Sequence, residues 1–125
     1  MMEMDAYQEK AGVTSIYESS VEFILQERSV QEIRKLLYFE YVANKLCGEA
    51  GEVSEEFAKI IRDDLGILTP ERKEKIIKEL GDVLWYVARI AHELGVPLEV
   101  VAYENLKKLR DRQERGLISG SGSDR

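Results

Sequence analysis

The feature that most constrains the fold is a long run of apolar residues at helical spacing between Ser29 and Asp64. Its members are Ile33, Leu36, Leu37, Tyr41, Ala43, Cys47, Ala50, Val53, Phe57, Ile60 and Ile61. Residues three and four apart share one helix face, so the run predicts a helix of about 35 residues, roughly 50 Å long. Ser29 and Glu32 form a capping box that predicts its start, and Gly66 predicts its end.

Two further helices are predicted downstream. Thr69 is a good N-cap for a helix that begins at Pro70 and ends before Gly95. Apolar residues cover most of its circumference, so we expect it to be the most buried helix. Pro97 opens a last helix, with four apolar residues predicted to point inward: Val100, Val101, Leu106 and Leu109.

The N-terminal region is predicted to be helical as well. Asp5 and Gln8 have the spacing of a capping box and indicate a helix that continues to about Ser19. The next segment, 20–28, is compatible either with an extension of that helix or with a packed loop. No segment alternates with the period of a strand, so the fold class is all-α.

The composition is that of a globular protein, with 44% hydrophobic and 34% charged residues in a chain of 125. This length suits one domain. We expect residues 1–116 to form a single four-to-five-helix bundle, followed by a glycine- and serine-rich tail at 117–125. Because so few helices bury little surface alone, the bundle is predicted to oligomerise through its helices.

Charge and cysteine content exclude several classes of function. The net charge of −6 argues against binding to nucleic acid or to an anionic membrane. The longest apolar run, 83–88, is far shorter than the roughly 20 residues that cross a bilayer. Cys47 is the only cysteine, so no intrachain disulfide forms. These observations predict a cytoplasmic protein.

Two pairs of acids interrupt the apolar helices, Glu49/Glu52 and Glu79/Asp82. In each pair the acids are three residues apart, so both lie on one helix face. Four carboxylates around one small volume would repel one another unless a divalent cation bound between them. Oxygen ligands favour Mg²⁺, with Mn²⁺ as the alternative.

A di-iron carboxylate bundle does not fit the same residues. Such a bundle needs a Glu-x-x-His motif from each of two helices. His92 is the only histidine, and Arg89 stands three residues before it.

Other polar residues suit a phosphorylated ligand. The last helix carries Asn105 and Lys108 at the same three-residue spacing. Cations that would neutralise phosphate oxygens are Lys59, Arg62, Lys108 and Arg112. Trp85 and Tyr86 fit core packing, although either ring would also stack on a base. Glu55 and Glu56 fit a solvated helix face, with Glu56 the nearer to the site.

These motifs together resemble the MazG-like all-α nucleoside triphosphate pyrophosphohydrolases. The resemblance rests on the ordered set GEAGE, containing Glu49 and Glu52, and KELGD, containing Glu79 and Asp82, separated by residues 53–78. It extends to Tyr7-Gln8, to Leu84-Trp85-Tyr86 and to Asn105-Leu106-Lys107-Lys108-Leu109. The ending, RDRQERGLISGSGSDR, is similar to the glycine-rich close of some members.

The resemblance implies an enzyme that hydrolyses a nucleoside triphosphate to the monophosphate and pyrophosphate. It implies Mg²⁺ held by Glu49, Glu52, Glu79 and Asp82, and a homodimer or homotetramer that clears unwanted nucleotides. Asn105 and Lys108 would contact sugar or phosphate, and Arg112 would assist in binding. Tyr86 is a candidate substrate-binding residue because its ring would stack on a base. In such an enzyme, a water molecule is the nucleophile that attacks phosphorus.

Three points stay open from the residues. Glu52 and Glu56 are both candidates for the general base that accepts the proton of the water. The alternatives to this function are a phosphoribosyl-ATP pyrophosphohydrolase-like enzyme and a non-catalytic, metal-stabilised helical interaction module. For the tail, backbone N–H groups at 120–122 and the guanidinium of Arg125 suggest a segment that closes over bound nucleotide.

Overall fold

The computed structural model describes residues 2–116, and this part of the chain is all α-helical. Its helices are α1 Met4–Gly12, α2 Tyr17–Glu27, α3 Val30–Arg62, α4 Pro70–Glu93 and α5 Leu98–Glu114. No strand occurs within the described range, which confirms the predicted fold class. The tail at 117–125, with its predicted closure over nucleotide, lies outside the described residues.

The chain divides into two compact units, Met1–Leu37 and Tyr38–Arg125. The first contains α1, α2 and the beginning of α3, and the second contains the rest of α3 together with α4 and α5. That residues 1–116 act as one domain stays a prediction. None of the helices in the described range combines the length and the hydropathy needed to cross a bilayer.

The first unit differs from the prediction at two places. Asp5 is not the N-cap, because α1 begins two residues earlier than predicted, at Met4, with Glu3 in the capping position. The predicted helix to Ser19 is interrupted at 13–16, directly after Gly12, where the Thr14 hydroxyl donates to the Ala11 carbonyl at 3.0 Å. A β-branched side chain that bonds locally to the backbone competes with helix continuation. The segment left open between helix and loop is helical and belongs to α2.

The predicted start of α3 is confirmed by its capping bonds. The backbone N–H of Ser29 donates to Glu32 Oε2 at 2.7 Å, and the N–H of Glu32 donates to Ser29 Oγ at 3.1 Å. This reciprocal pair satisfies two donors that a helix start otherwise leaves without a partner. From there α3 runs for 33 residues.

The connection between α3 and α4 reverses the chain within residues 63–69. Leu65 and Gly66 both take left-handed backbone, with φ of 57° and 79°. Glycine adopts this conformation readily, whereas leucine does so at a cost. Thr69 then caps α4 as predicted, since its hydroxyl accepts from the Arg72 N–H at 3.1 Å. The next turn also follows the prediction, with Gly95 at a φ of 73°.

Few side chains of the described range are buried. The buried ones are Ile76 and Ala91 on α4, Glu56 on α3 and Arg112 on α5. Both buried apolar residues lie on α4, in line with its predicted role as the most buried helix.

The prediction that the apolar face of α5 points inward is wrong for the single chain. Val100, Val101 and Leu109 are about 40% exposed, and Leu106 is more exposed still. An apolar stripe at helical spacing identifies the face that seeks burial, but it does not identify what covers that face. The same holds on α4 for three exposed residues at i, i+3 and i+7, which we call the α4 stripe: Ile77, Leu80 and Leu84.

Candidate metal centre

The acids of α3 and α4 meet in the second unit. Glu49, Glu79 and Asp82 each present one carboxylate oxygen, and these oxygens lie within 4.8 Å of one another. Glu49 and Glu79 are half-buried, whereas Asp82 is exposed. We call these three residues the carboxylate cluster. It unites one acid of the α3 pair with both acids of the α4 pair.

Glu52, the second acid of the α3 pair, is exposed and is not among these three. Its charge nevertheless acts on the cluster. Burial raises the pKa of the Glu79 carboxyl, and the negative charges of Asp82, Glu52, Glu49 and Glu56 raise it further, in that order. Glu52 therefore lies within electrostatic reach of Glu79.

The donor set fits a hard divalent cation. Every member offers carboxylate oxygen, and within residues 2–116 no histidine or cysteine joins the group. Oxygen ligands of this kind suit Mg²⁺ or Mn²⁺ better than zinc. A cation here would relieve the repulsion that raises the pKa of Glu79.

Glu56 occupies a partly buried ion-pair network near the cluster. Its Oε2 accepts from Arg72 Nη1 at 2.6 Å, and its Oε1 accepts from Lys59 Nζ at 3.1 Å. Arg72 also donates to Asp64, from Nε to Oδ2 at 2.7 Å and from Nη2 to Oδ1 at 3.3 Å. We call these four residues the Arg72 network. Glu56 is only 7% exposed, so the expectation of a solvated carboxylate is wrong for this residue.

Two predicted phosphate-binding cations form ion pairs with acids of α3 or its end. Lys59 bonds to Glu56 as described. Arg62, which is exposed, bonds to both Asp63 oxygens at 3.0 Å and to Glu55 at 3.4 Å. Glu55 is exposed, as expected for a solvated face. Arg62 therefore lies on the solvent side of α3.

The predicted residues of α5 fall into two environments. Asn105 and Lys108 line an open cavity of about 530 Å³ together with Val100, Val101 and Glu104. Among the described residues, no member of the carboxylate cluster lines this cavity. Arg112, one turn beyond Lys108, is only 5% exposed.

Tyr86 lies within electrostatic reach of Glu49. Burial raises the pKa of its hydroxyl, and so do Tyr41 and the negative charge of Glu49, while Lys45 lowers it. Lys45 Nζ lies 4.0 Å from Glu49 Oε1. The Tyr86 ring meets Trp85 edge to face, with ring centres 4.8 Å apart and planes at 84°.

Several of these neighbours escaped the sequence interpretation. Lys45 was detectable in principle, because it stands four residues before Glu49 on the same helix. Arg72 gave no such signal, since its partner Glu56 lies 16 positions away and on another helix. In the sequence, Tyr41 is only one member of the apolar run, and Asp64 only marks the end of a helix.

Comparison with known proteins identifies the family of the chain. A family model described as the MazG nucleotide pyrophosphohydrolase domain matches residues 38–117. This match confirms the resemblance carried by the two carboxylate motifs. The chain is also 41% identical over 124 residues to the Gene 37 protein of Mycobacterium phage L5, covering 99% of this chain and 100% of that protein. No solved structure matches the chain.

Proposed function

Because the chain belongs to the MazG nucleotide pyrophosphohydrolase domain family, we propose that it hydrolyses a nucleoside or deoxynucleoside triphosphate to the monophosphate and pyrophosphate. One observation carries the proposal: three carboxylates from two helices lie within 4.8 Å of one another inside the matched region. Clearing unwanted nucleotides in the cytoplasm is the role that we assign to this activity.

The carboxylate cluster is the proposed metal site. Glu49, Glu79 and Asp82 would hold Mg²⁺, or Mn²⁺ in its place, with Glu52 as a further ligand from the same helix as Glu49. A bound Mg²⁺ supplies positive charge for the triphosphate oxygens and lowers the pKa of water. The protein contributes a partly buried set of carboxylate oxygens from two helices.

The proposed reaction is an in-line displacement at the α-phosphorus. The oxygen of a water forms the new P–O bond, and the bond from the α-phosphorus to the bridging oxygen of pyrophosphate breaks. The proton of the water goes to a carboxylate. We assign this role to Glu52, because Arg72 and Lys59 hold the pKa of Glu56 below its usual range and make Glu56 a weak proton acceptor.

Contacts to the rest of the substrate are proposed for residues on all three helices of the unit. Asn105 and Lys108 share one cavity and suit the sugar and the phosphates. Tyr86 lies within electrostatic reach of Glu49 and suits the base or sugar. Further positive charge for the pyrophosphate would come from Lys59, Arg62 and Arg112.

We further propose that the protein works as a homodimer or homotetramer. The α4 stripe and the apolar face of α5 are exposed in the single chain, although both have the pattern of buried helix faces. Association of copies through these helices would remove them from water.

The test is an assay of products from a panel of nucleoside and deoxynucleoside triphosphates with Mg²⁺, with phosphoribosyl-ATP included. Release of pyrophosphate from at least one triphosphate is the expected result. Turnover of phosphoribosyl-ATP alone would assign the chain to the related activity. A folded, metal-binding protein that turns over no compound of the panel would contradict catalysis and favour a helical interaction module.

A further inference from the structure

Two contacts cross from α3 to α4 in the same register. Arg72 Nη1 lies 2.6 Å from Glu56 Oε2, and an oxygen of Glu79 lies within 4.8 Å of one from Glu49. Glu56 follows Glu49 by seven residues, and Arg72 precedes Glu79 by seven. Seven residues are close to two turns, or about 10 Å along the axis. The two helices are therefore antiparallel here, with both contacts on one seam.

Arg72 joins three parts of this region. Its guanidinium bonds to Glu56 on α3 and to both oxygens of Asp64 in the connection, and its own backbone N–H bonds to the Thr69 cap at the start of α4. The side chain is only 11% exposed. A planar guanidinium that binds two carboxylates fixes their relative positions in a way that a flexible ammonium does not.

At the other end of this seam, the carboxylates of the cluster repel one another when no cation is bound. Glu49, Glu79 and Asp82 carry like charges at short range, with Glu52 close by. A shift of α4 by one residue would move its side chains about 1.5 Å along the axis and rotate them about 100°. Such a shift would disperse the cluster.

We propose that Arg72 is a positioning residue for the carboxylate cluster, because its ion pairs hold α3 and α4 in the register that brings Glu49 to Glu79 and Asp82. The inference rests on the proposed function of the cluster as a metal site. Among the bonds described, the Arg72 guanidinium pairs with Glu56 and Asp64 and with no member of the carboxylate cluster, so its proposed effect on the cluster passes through the two helices.

The experiment measures Mn²⁺ binding to the 125-residue chain by the electron paramagnetic resonance signal of free Mn²⁺, without nucleotide. Arg72→Met is expected to raise the dissociation constant by about tenfold, the usual effect of removing a residue that supports metal ligands. Arg72→Lys is expected to fall between this variant and the parent. Lys73→Met removes the same charge from the neighbouring exposed position and should bind Mn²⁺ like the parent.

A purely structural role for Arg72 gives a different pattern. Arg72→Met would then lower the unfolding temperature while the Mn²⁺ constant of the folded protein stayed at the parent value, and that result would overturn the inference. If Arg72→Met does not fold, Arg72→Lys decides, and an unchanged constant counts against the inference. In the pyrophosphate assay, positioning predicts a higher half-saturating Mg²⁺ concentration with kcat largely retained at saturation.

The proposed function is judged separately, by release of pyrophosphate from the parent chain. If the parent hydrolyses no nucleotide but Arg72→Met loses Mn²⁺ affinity, the positioning role is kept and the enzyme activity is rejected. If the parent is active and Arg72→Met binds Mn²⁺ like the parent, the enzyme activity is kept and the positioning role is rejected.

Discussion

Glu79 lies where burial and four neighbouring acids all oppose its ionisation. Its pKa in the folded chain is therefore raised above the ordinary value of 4.5. An acid with a raised folded pKa destabilises the fold when it is ionised in both states. As the pH falls through the folded pKa, the folded state takes up the proton first and this destabilisation is lost.

Glu79→Gln is accordingly expected to raise the unfolding temperature of the metal-free protein at pH 7. The gain over the parent should shrink as the pH is lowered towards 4.5, because the parent then becomes protonated at Glu79. Thermal unfolding followed by circular dichroism between pH 7 and pH 4.5, with a chelator present, measures both effects. A Glu79→Gln protein that is less stable than the parent at pH 7 would contradict the claim that ionised Glu79 destabilises the metal-free fold.

Ionised Glu56 has the opposite effect on stability to ionised Glu79, and the same thermal unfolding measurement detects it. Arg72 and Lys59 lower its pKa, so its stabilising effect is present above 4.5 and is lost as the pH falls through the lower folded value. Glu56→Gln should therefore lower the unfolding temperature at pH 7, and its deficit should persist down to 4.5 and shrink only below that pH.

Loss of activity is expected when either α4 acid of the cluster is neutralised. Since residues that merely support metal ligands cost 10- to 100-fold, Glu79→Gln and Asp82→Asn should each lower kcat/KM by at least about 100-fold. Helicity should be unchanged. Glu74→Gln is the matched control on the same helix, because Glu74 is exposed and pairs only with Lys78 at 3.3 Å among the ion pairs described. Full activity in both cluster variants would place the metal site elsewhere.

At the scale of the helices, the start of α4 sets the position of Arg72. The Thr69 hydroxyl accepts the Arg72 N–H at 3.1 Å, so Thr69→Ala removes the cap. We expect it to lower the free energy of unfolding by about 1 kcal/mol, and Thr69→Ser to restore most of that loss. Urea unfolding of the three proteins measures the difference. Equal midpoints for alanine and threonine would show that the cap contributes nothing.

Local signals in the sequence predicted the helix boundaries that depend on local chemistry. The Ser29/Glu32 box and the Thr69-Pro70 start each need only neighbouring residues, and both are confirmed. Asp5/Gln8 has the same spacing but lies inside α1, because spacing alone does not fix the extended backbone that a cap requires. The break at 13–16 depended on a balance of weak propensities.

The site was predictable to the extent that it repeats along one helix. The three-residue spacing of Glu79 and Asp82 identified two members of the cluster, and Glu49 followed from the GEAGE motif. The pairing of Glu56 with Arg72 was not predictable in this way, because Arg72 meets it only through the antiparallel register of α3 and α4. Contacts between helices leave no fixed spacing in a single sequence.

At the scale of the whole molecule, the exposed apolar faces predict association. Leu84, in the α4 stripe, is 59% exposed in the single chain. Leu84→Lys would place a charge in the proposed interface and should yield a smaller species than the parent, because burying an unpaired charge is strongly unfavourable. Light scattering after size exclusion gives both masses.

Val13→Lys serves as the control for this prediction. Val13 is also exposed, in the connection between α1 and α2, and lies outside both apolar helix faces. It should keep the mass of the parent. A parent that is monomeric at all concentrations would refute the homodimer and the homotetramer alike.

The central claim is that the carboxylate cluster serves hydrolysis between the α- and β-phosphates of a nucleotide. Phosphorus NMR of a nucleoside triphosphate that the protein turns over, recorded with Mg²⁺, tests it most directly, because each product has its own resonance. The account predicts monophosphate and pyrophosphate in equal amounts from the first time point. Nucleoside diphosphate with orthophosphate as the initial products would contradict it.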